Sequence, residues 1–281
     1  MSNIIVGVGS FLGSALKQKL LNSDEIVFGI SFRPGDNEFF LKSIKNLLKK
    51  ENIKNLFICG GSQSSSDKLD TLNDLIQSNI FLPTAIASLV GEISRNTKII
   101  FFGSYHQLDD QANFSPFNLY ASSKQSAESM LEHFAMDGLK ICSLRLYDTY
   151  GKNDKRPKIV NLIANAIKKN EKLDMSEGKQ LIDLIHINDV VDGVMHAVSF
   201  LENKESKSLL KFSLKSGSPI QVRGIVRIYE KILSKDLNYL FNFGFYPYRK
   251  RERFSLPTND KTPEGWSPKI DIEAGLKSLI D

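Results

Sequence analysis

Short apolar runs alternate along the first half of the chain with longer segments in which apolar residues recur every three or four positions. The short runs predict strands at residues 3–8, 25–31, 55–59, 98–102 and 140–146. The periodic segments predict helices at residues 11–21, 38–50, 71–94 and 122–137, with Pro83 kinking or breaking the third. Strands and helices that alternate in this order build a parallel sheet covered by helices on both faces. We therefore predict a doubly wound α/β fold.

The pattern becomes less regular after Gly151. There we predict a helix at residues 159–169, a short extended stretch at 183–187 and a helix at 189–201. A chain of 281 residues is long enough for one large α/β domain or for two smaller domains. We expect a smaller C-terminal part that is interleaved with the first.

Composition is typical of an ordinary globular protein, with 41% apolar and 25% charged residues. Cys59 and Cys142 are too few and too far apart in the sequence for a disulfide framework, a zinc site or a redox pair. We find no secretory leader and no run of about 20 apolar residues. We therefore expect a cytoplasmic protein with no metal and no membrane attachment. The formal charge of +5 is small, and much of the excess lies in residues 249–253.

Glycines mark the turn between the first predicted strand and the first predicted helix. Small residues in such a turn let backbone N–H groups and a helix N-terminus approach a pyrophosphate. Tight packing of the turn is the alternative explanation. We expect a dinucleotide to be held by the turn residues Gly7, Gly9, Ser10, Phe11, Leu12 and Gly13.

The end of the second predicted strand indicates which dinucleotide is bound. Sites for NAD usually place an acidic residue about 20 residues after the glycine turn, where it holds the ribose 2′-hydroxyl. Here Ser31 and Arg33 occupy that region. A hydroxyl and a guanidinium suit a 2′-phosphate, so NADP(H) is favoured over NAD(H). A solvated loop position for Arg33 is the alternative.

A phenol and an ammonium lie four residues apart in Tyr120-x-x-x-Lys124, which places them on one face of a helix. Such a lysine lowers the pKa of the tyrosine, so the phenol can exchange a proton with a carbonyl or an alcohol. This spacing is common by chance, but Ser104 ends a predicted strand, where doubly wound folds place their chemistry. We expect Ser104, Tyr120 and Lys124 to be catalytic.

Several further motifs recur in the expected order along the chain. They are Asn79, Ala127-Glu128, and the runs at residues 144–151, 185–191 and 265–269. Together with the glycine turn and the Tyr/Lys pair, they resemble the extended short-chain dehydrogenase/reductases, the nucleotide-sugar epimerase/dehydratase family. The resemblance implies a Rossmann domain and a serine, tyrosine and lysine triad. It adds Gly60, Gly61 and Asn79 to Tyr120 and Lys124 in the expected cofactor site.

The same resemblance has consequences for domains and assembly. It implies an NADP-binding domain at residues 1–155, to which the chain returns at about 180–200, and a mainly substrate-binding domain at residues 156–281. Family members commonly form homodimers through two helices. An apolar stripe on the helix of Tyr120 could serve this purpose, or could equally face the sheet; it consists of Ala127, Met130, Leu131 and Phe134.

Departures from the family pattern affect the expected substrate site. Ser10 stands where the middle glycine is usual, Asp148 stands where an asparagine is usual, and Ile182 replaces an expected arginine. Arginines of the 249–253 run could replace that phosphate contact, or could lie in a solvated loop. His106 is a candidate ligand or a loop histidine without a role. We expect a nucleotide-diphosphate sugar to contact Ser104, Tyr105, His106, Asp148, Arg249 and Arg251.

The two residues after Ser104 narrow the range of reactions. Dehydratases of the family carry an Asp-Glu pair there, whereas this chain has Tyr105-His106. The missing acidic ribose contact argues against an epimerase that retains NAD. The tail, with Phe241–Gly244, the arginine-rich run and residues 265–268, resembles 4-ketoreductases of deoxysugar nucleotides of the CDP-abequose synthase type.

We therefore expect an NADPH-dependent reduction of the 4-keto group of a nucleotide-linked 4-keto-6-deoxysugar, for surface polysaccharide synthesis. A nucleotide-sugar epimerase is one alternative. Another is a non-catalytic module that senses NADP(H) or binds nucleic acid, against which the complete Ser/Tyr/Lys set argues. We expect no nucleic-acid partner, because four local cations release few counterions.

Overall fold

Six parallel strands form the central sheet, as seen in a computed structural model that describes residues 2–33, 35, 37–64, 68–202 and 207–281. The strands of the protein are β1 (Ser2–Val6), β2 (Ile26–Ile30), β3 (Ile53–Ile58), β4 (Lys98–Ser104), β5 (Ile141–Leu146), β6 (Asp148–Tyr150), β7 (Leu173–Met175), β8 (Leu181–Ile182), β9 (Leu184–His186), β10 (Leu210–Leu214), β11 (Ile220–Gln221) and β12 (Phe241–Phe243). The sheet has the order β10-β5-β4-β3-β1-β2. The predicted doubly wound α/β fold is confirmed.

The order of the strands reverses between β1 and β3, because the chain adds β2 on one side of β1 and all later strands on the other. In doubly wound sheets such a switch point opens a crevice at the carboxyl ends of the strands, and ligands bind there. The ends of β1, β3 and β4 therefore define where a functional site is expected.

Helices cover both faces of the sheet. They are α1 (Phe11–Leu21), α2 (Asn37–Lys50), α3 (Leu69–Leu75), α4 (Leu82–Ile93), α5 (Leu119–Met136), α6 (Ile159–Lys169), α7 (Ile187–Glu202), α8 (Val222–Leu233) and α9 (Ile272–Ile280). Apolar residues of α1 and α7 pack on one face of the sheet, and those of α2, α4 and α5 pack on the other. A third apolar cluster joins α6, α8 and α9 beside the sheet. The division of the chain at residue 155 remains a prediction.

Two helices differ in detail from their prediction. The helix predicted at 71–94 runs through α3, a π-helical segment at Ile76–Phe81, and α4. Pro83 lies in the first turn of α4, where the missing N–H of a proline is tolerated, so the helix is not interrupted. α5 begins three residues earlier than predicted, because the side chain of Asn118 accepts a hydrogen bond from the Ala121 N–H.

A buried ion pair fixes α5 against β5. Arg145 donates two hydrogen bonds to the fully buried Glu128 carboxylate, at 3.1 and 2.6 Å, and the Ser143 hydroxyl donates a third at 2.6 Å. Gly103 leaves room for this cluster, since a Cβ there would lie 3.0 Å from the Glu128 carboxylate. The pair holds the helix that carries Tyr120 and Lys124 in a fixed position over the strand ends.

Within the described residues, no helix combines the length and the apolar character needed to cross a bilayer.

Candidate active site

The glycine turn lies at the switch point and is held from both sides. The Gly7 N–H donates to the Ile30 carbonyl at the end of β2, at 2.7 Å. On the other side, a Cβ on Gly7 would lie 2.4 Å from the Gly60 nitrogen, and Gly7 has φ +78°. A Cβ on Gly13 would lie 2.3 Å from the Gly7 carbonyl oxygen. Gly7 and Gly13 are therefore required by the packing of the turn itself.

Gly9 has a different environment. It has no left-handed backbone, and a Cβ there would meet nothing within 4 Å. Packing within the described chain therefore does not require a glycine at this position. Close approach of a ligand to the backbone is a remaining physical reason for a glycine at position 9.

Backbone donors face the same place at the start of α1. Ser10 caps the helix, and its Oγ accepts a hydrogen bond from the Gly13 N–H at 3.0 Å. In the part of the chain that the structure describes, the N–H groups of Phe11 and Leu12 donate no hydrogen bond. Free N–H groups at a helix N-terminus suit a phosphate, so the turn fits the pyrophosphate of a dinucleotide.

Gly61, Asn79 and Lys124 meet at the end of β3. A Cβ on Gly61 would lie 2.7 Å from Asn79 Oδ1 and 3.3 Å from Lys124 Nζ. The Asn79 amide nitrogen donates to Ser123 Oγ at 2.9 Å and to the Ser62 carbonyl at 3.0 Å, whereas Asn79 Oδ1 is buried without a partner. This unpaired acceptor beside the Lys124 ammonium fits the cofactor site expected from the sequence.

Burial controls the charges of Lys124 and Tyr120. The Lys124 Nζ lies 4.8 Å from the centre of the Phe101 ring and 5.9 Å from that of Tyr120. Desolvation lowers the pKa of Lys124 to about 8, and the neighbouring Cys59 and Glu128 oppose this shift. Desolvation also raises the pKa of Tyr120 to about 12, against the positive charge of Arg156. The phenol is therefore protonated at neutral pH in the free protein, and the lowered pKa that the sequence predicts beside Lys124 is not found, because desolvation has the larger effect.

Ser104 is buried at the end of β4 and begins a short 3₁₀ turn, Tyr105–Gln107. Its N–H donates to Gln107 Oε1 at 2.8 Å, and its Oγ accepts a hydrogen bond from the His106 N–H at 3.3 Å. Because the oxygen accepts this bond, its own hydrogen is left to donate elsewhere. The turn thus orients the hydroxyl.

The residues after Ser104 form a stacked group. The ring of Tyr105 lies 4.4 Å from that of Tyr147 and 4.2 Å from that of His106. The Tyr105 hydroxyl donates to the Asp148 carboxylate at 2.8 Å, and burial raises the pKa of that carboxyl. Desolvation lowers the pKa of His106 to about 3, with nearby positive charges adding to the effect. His106 is therefore neutral at physiological pH.

The remaining sequence-predicted site residues are exposed. Ser31 and Arg33 follow β2 at the edge of the sheet, near the glycine turn. Arg249 and Arg251 lie at the surface, although the charge of Arg249 acts on His106. Arg253, which the sequence did not distinguish from its neighbours, is the half-buried arginine that contacts the turn after Ser104.

Arg156 is a second cation that the sequence did not indicate. Its guanidinium is held by the buried Asp154 carboxylate, at 2.7 and 2.8 Å, and by the Thr149 carbonyl at 3.1 Å. It lies 4.9 Å from the centre of the Phe11 ring. Arg156 therefore places a positive charge between the glycine turn and Tyr120. The folded loop after β6 brings it there, which the sequence alone does not indicate.

We predict that Gly9→Ala and Gly7→Ala have opposite effects. Gly9→Ala should leave the free energy of unfolding unchanged within about 0.5 kcal/mol and weaken NAD(P)H binding at least about tenfold, because only the ligand meets the new methyl group. Gly7→Ala should lower the free energy of unfolding by about 1–3 kcal/mol, because φ is positive and Gly60 is in contact. Urea unfolding and NADPH fluorescence titration measure the two effects. Unaltered binding by Gly9→Ala would exclude close approach at this position.

A second prediction concerns stability in acid. The pKa of His106 is near 3 in the folded protein and about 6.5 when unfolded, so the unfolded chain binds more protons between these values. Stability should therefore fall as pH decreases below about 6.5, by about 1.4 kcal/mol per pH unit from this group. Urea unfolding at several pH values should show a shallower slope for His106→Asn than for wild type. Equal slopes would contradict the prediction.

Known proteins share both the sequence pattern and the fold of this chain. The family model described as NAD dependent epimerase/dehydratase family matches residues 3–210. CDP-abequose synthase of Salmonella muenchen is 22% identical and aligns with 99% of this chain and 96% of its own length. CDP-abequose synthase of Yersinia pseudotuberculosis is 25% identical over 71% of this chain and 74% of its own length.

Solved structures share the fold over the whole chain. MoeE5 in complex with UDP-glucose and NAD superimposes with a TM-score of 0.83 at 18% identity, covering 100% of this chain and 97% of the other. UDP-glucose 4-epimerase of Thermotoga maritima, with UDP-glucose, gives the same TM-score, identity and coverage. The match of the family model to most of the chain, and to the glycine turn and Tyr/Lys helix, shows that the protein belongs to the NAD dependent epimerase/dehydratase family and is an NAD(P)-dependent enzyme of the oxidoreductase type.

Proposed function

We propose that the protein reduces the 4-keto group of a nucleotide-linked 4-keto-6-deoxysugar with NADPH, in the synthesis of a surface polysaccharide sugar. The observation that carries the proposal is the pairing of the half-buried Tyr120 with the buried Lys124 beside the switch point, with Ser104 at the end of the neighbouring strand. The two abequose synthases, one of which aligns nearly end to end, support this reaction over others of the family.

The chain's own groups suit proton delivery to a carbonyl oxygen. Ser104 donates its free hydrogen to that oxygen and holds it in place. Tyr120, protonated because of its burial, gives its proton to the same oxygen as the alcohol forms. Lys124 stabilises the phenolate left behind by its positive charge. When bound, the nicotinamide cofactor supplies the hydride.

The preference for NADP(H) is also a proposal. The Gly7 N–H bond to Ile30 places the end of β2 beside the glycine turn. No carboxylate stands at residues 29–33; Ser31 directly follows the strand, and Arg33 lies two residues further on, and both are exposed. We propose that these two side chains hold the ribose 2′-phosphate by charge-assisted hydrogen bonds.

The substrate is proposed to be a nucleotide diphosphate sugar. We propose that Tyr105 and His106, which directly follow Ser104, and Asp148, which accepts a hydrogen bond from the Tyr105 hydroxyl, form the wall for the sugar. The exposed Arg249 and Arg251 are free to hold the diphosphate by bidentate hydrogen bonds. The substrate-binding part is proposed to lie mainly within residues 156–281, with the chain returning to the NADP-binding domain at about 180–200; β10 also joins the central sheet. The enzyme is proposed to act in the cytoplasm.

A homodimer is proposed through the outer face of α4 and α5. The predicted stripe is divided in the structure, because Ala127 and Leu131 are buried in the core and Phe134 packs partly against it. Met130 is 47% exposed on the outer face, and Phe81 is 38% exposed on the adjacent π-helical segment. Exposed apolar side chains at the outside of two neighbouring helices support this surface.

The function is tested by incubating the protein with a CDP-linked 4-keto-6-deoxysugar and NADPH. We expect loss of NADPH absorbance equal to the sugar reduced, with NADH used less efficiently. Tyr120→Phe should lower kcat by about 10²- to 10⁴-fold, because the proton donor is lost. Tyr239→Phe, at an exposed tyrosine outside the site, is the control and should keep wild-type kcat. An isomerised sugar without loss of NADPH would identify an epimerase, and NADPH binding without turnover would identify a sensing module.

The same assay predicts a pH dependence. Lys124 acts as a cation, and its pKa is about 8, so its charge is present below that pH and lost above it. We expect kcat/KM for reduction to fall as pH rises through about 8 in the wild type. Lys124→Arg, which keeps its charge, should be slower but should lack this decline. A wild-type profile that stays flat to pH 10 would contradict the assignment.

A further inference from the structure

Two residues of the turn after Ser104 contribute their rings to a column of four stacked aromatic side chains. The rings lie in the order Phe117, His106, Tyr105 and Tyr147, with centres 5.0, 4.2 and 4.4 Å apart. The Phe117 N–H donates to the His106 carbonyl at 2.9 Å. Backbone N–H groups also donate to the carbonyls of Tyr105 and Gln107.

Arg253 adds two hydrogen bonds to this turn from the C-terminal part of the chain. Its Nη2 donates to the Leu108 carbonyl at 2.7 Å and to the His106 carbonyl at 3.3 Å. Its guanidinium also lies 5.6 Å from the centre of the Tyr105 ring and 5.4 Å from that of Phe117. A planar cation can stack on rings and donate in its plane at once, which an ammonium cannot.

His106 connects the hydrogen bonds of Arg253 to Ser104. The His106 N–H donates to Ser104 Oγ, and the His106 carbonyl receives a hydrogen bond from Arg253. The position of the His106 backbone therefore constrains the direction in which the Ser104 hydroxyl can donate its hydrogen. A shift of this peptide would turn the hydroxyl away from the substrate oxygen.

We propose that Arg253 is a positioning residue that holds the turn at residues 104–108 so that Ser104 presents its hydroxyl to the substrate. The inference rests on the proposed function of Ser104. It gives Arg253 a role distinct from that proposed for Arg249 and Arg251, because its Nη2 is already occupied by two backbone carbonyls. Its Nε is buried without a partner, so this atom does not reach a solvent-exposed phosphate.

Steady-state kinetics of Arg253→Met test this role. We expect kcat to fall about 10- to 100-fold with KM changed less than about threefold, because substrate binding is kept and alignment is lost. Arg253→Lys should also lower kcat with little change in KM, and its loss of kcat should be smaller. Arg223→Met is the matched control, because Arg223 is also half-buried and lies 5.1 Å from the centre of an aromatic ring, that of Phe243, in a different part of the protein.

Hydrogen exchange of the free protein gives a readout that needs no turnover. Amides of residues 104–108 should exchange faster in Arg253→Met than in the wild type, and at the wild-type rate in Arg223→Met. If Arg253→Met does not fold, Arg253→Lys is used for both measurements.

Unchanged kcat, a loss confined to KM, or unchanged exchange at residues 104–108 would each overturn the inference. If wild type shows no reduction at all, the proposed function fails. Exchange at residues 104–108 then decides by itself whether Arg253 holds the turn.

Discussion

The close contact between Gly7 and Gly60 is the constraint on which the rest of the site depends. It joins the ends of two strands where the order of the sheet reverses, at a distance that leaves no room for a side chain on Gly7. The turn can then start α1 with its free N–H groups facing the crevice. Gly61, one residue further, leaves the space in which Asn79 and Lys124 meet. The shape of the turn and the space around the ammonium thus both depend on glycines at the ends of β1 and β3.

Burial gives the site its electrostatic character. In water, the ammonium of Lys124 and the phenol of Tyr120 would titrate within about half a unit of each other. Desolvation moves the two pKa values apart, so a cation with a pKa near 8 stands beside a phenol that holds its proton. The ion pair between the fully buried Glu128 and the partly exposed Arg145 keeps α5, which carries both groups, in place on the sheet.

Much of the fold and part of the site could be predicted from the sequence, because both depend on local periodicity. Tyr120 and Lys124 are four residues apart, and any helix through them puts both on one face. The strand ends at Gly7 and Ser104 follow from apolar runs. α8 was not predicted, although its apolar residues recur at helical spacing and could have indicated it; they are Val222, Ile225, Val226 and Tyr229.

Other features depend on the path of the chain and leave no periodic signal. Arg249, Arg251 and Arg253 look equivalent in the sequence, and only the course of the loop turns Arg253 inward. The short strands β6, β7 and β8 contain two or three residues each, too few for a pattern. Arg156 approaches Phe11 only because Asp154 and Thr149 hold the loop between them.

The contact of Arg253 with the turn after Ser104 also bears on the order of assembly. The two partners are about 145 residues apart in the sequence, so the contact closes a very long loop. During synthesis, the glycine turn, Tyr120 and Lys124 are all made well before Arg253. The hydrogen bonds from Arg253 to this turn can therefore form only after nearly the whole chain has been made.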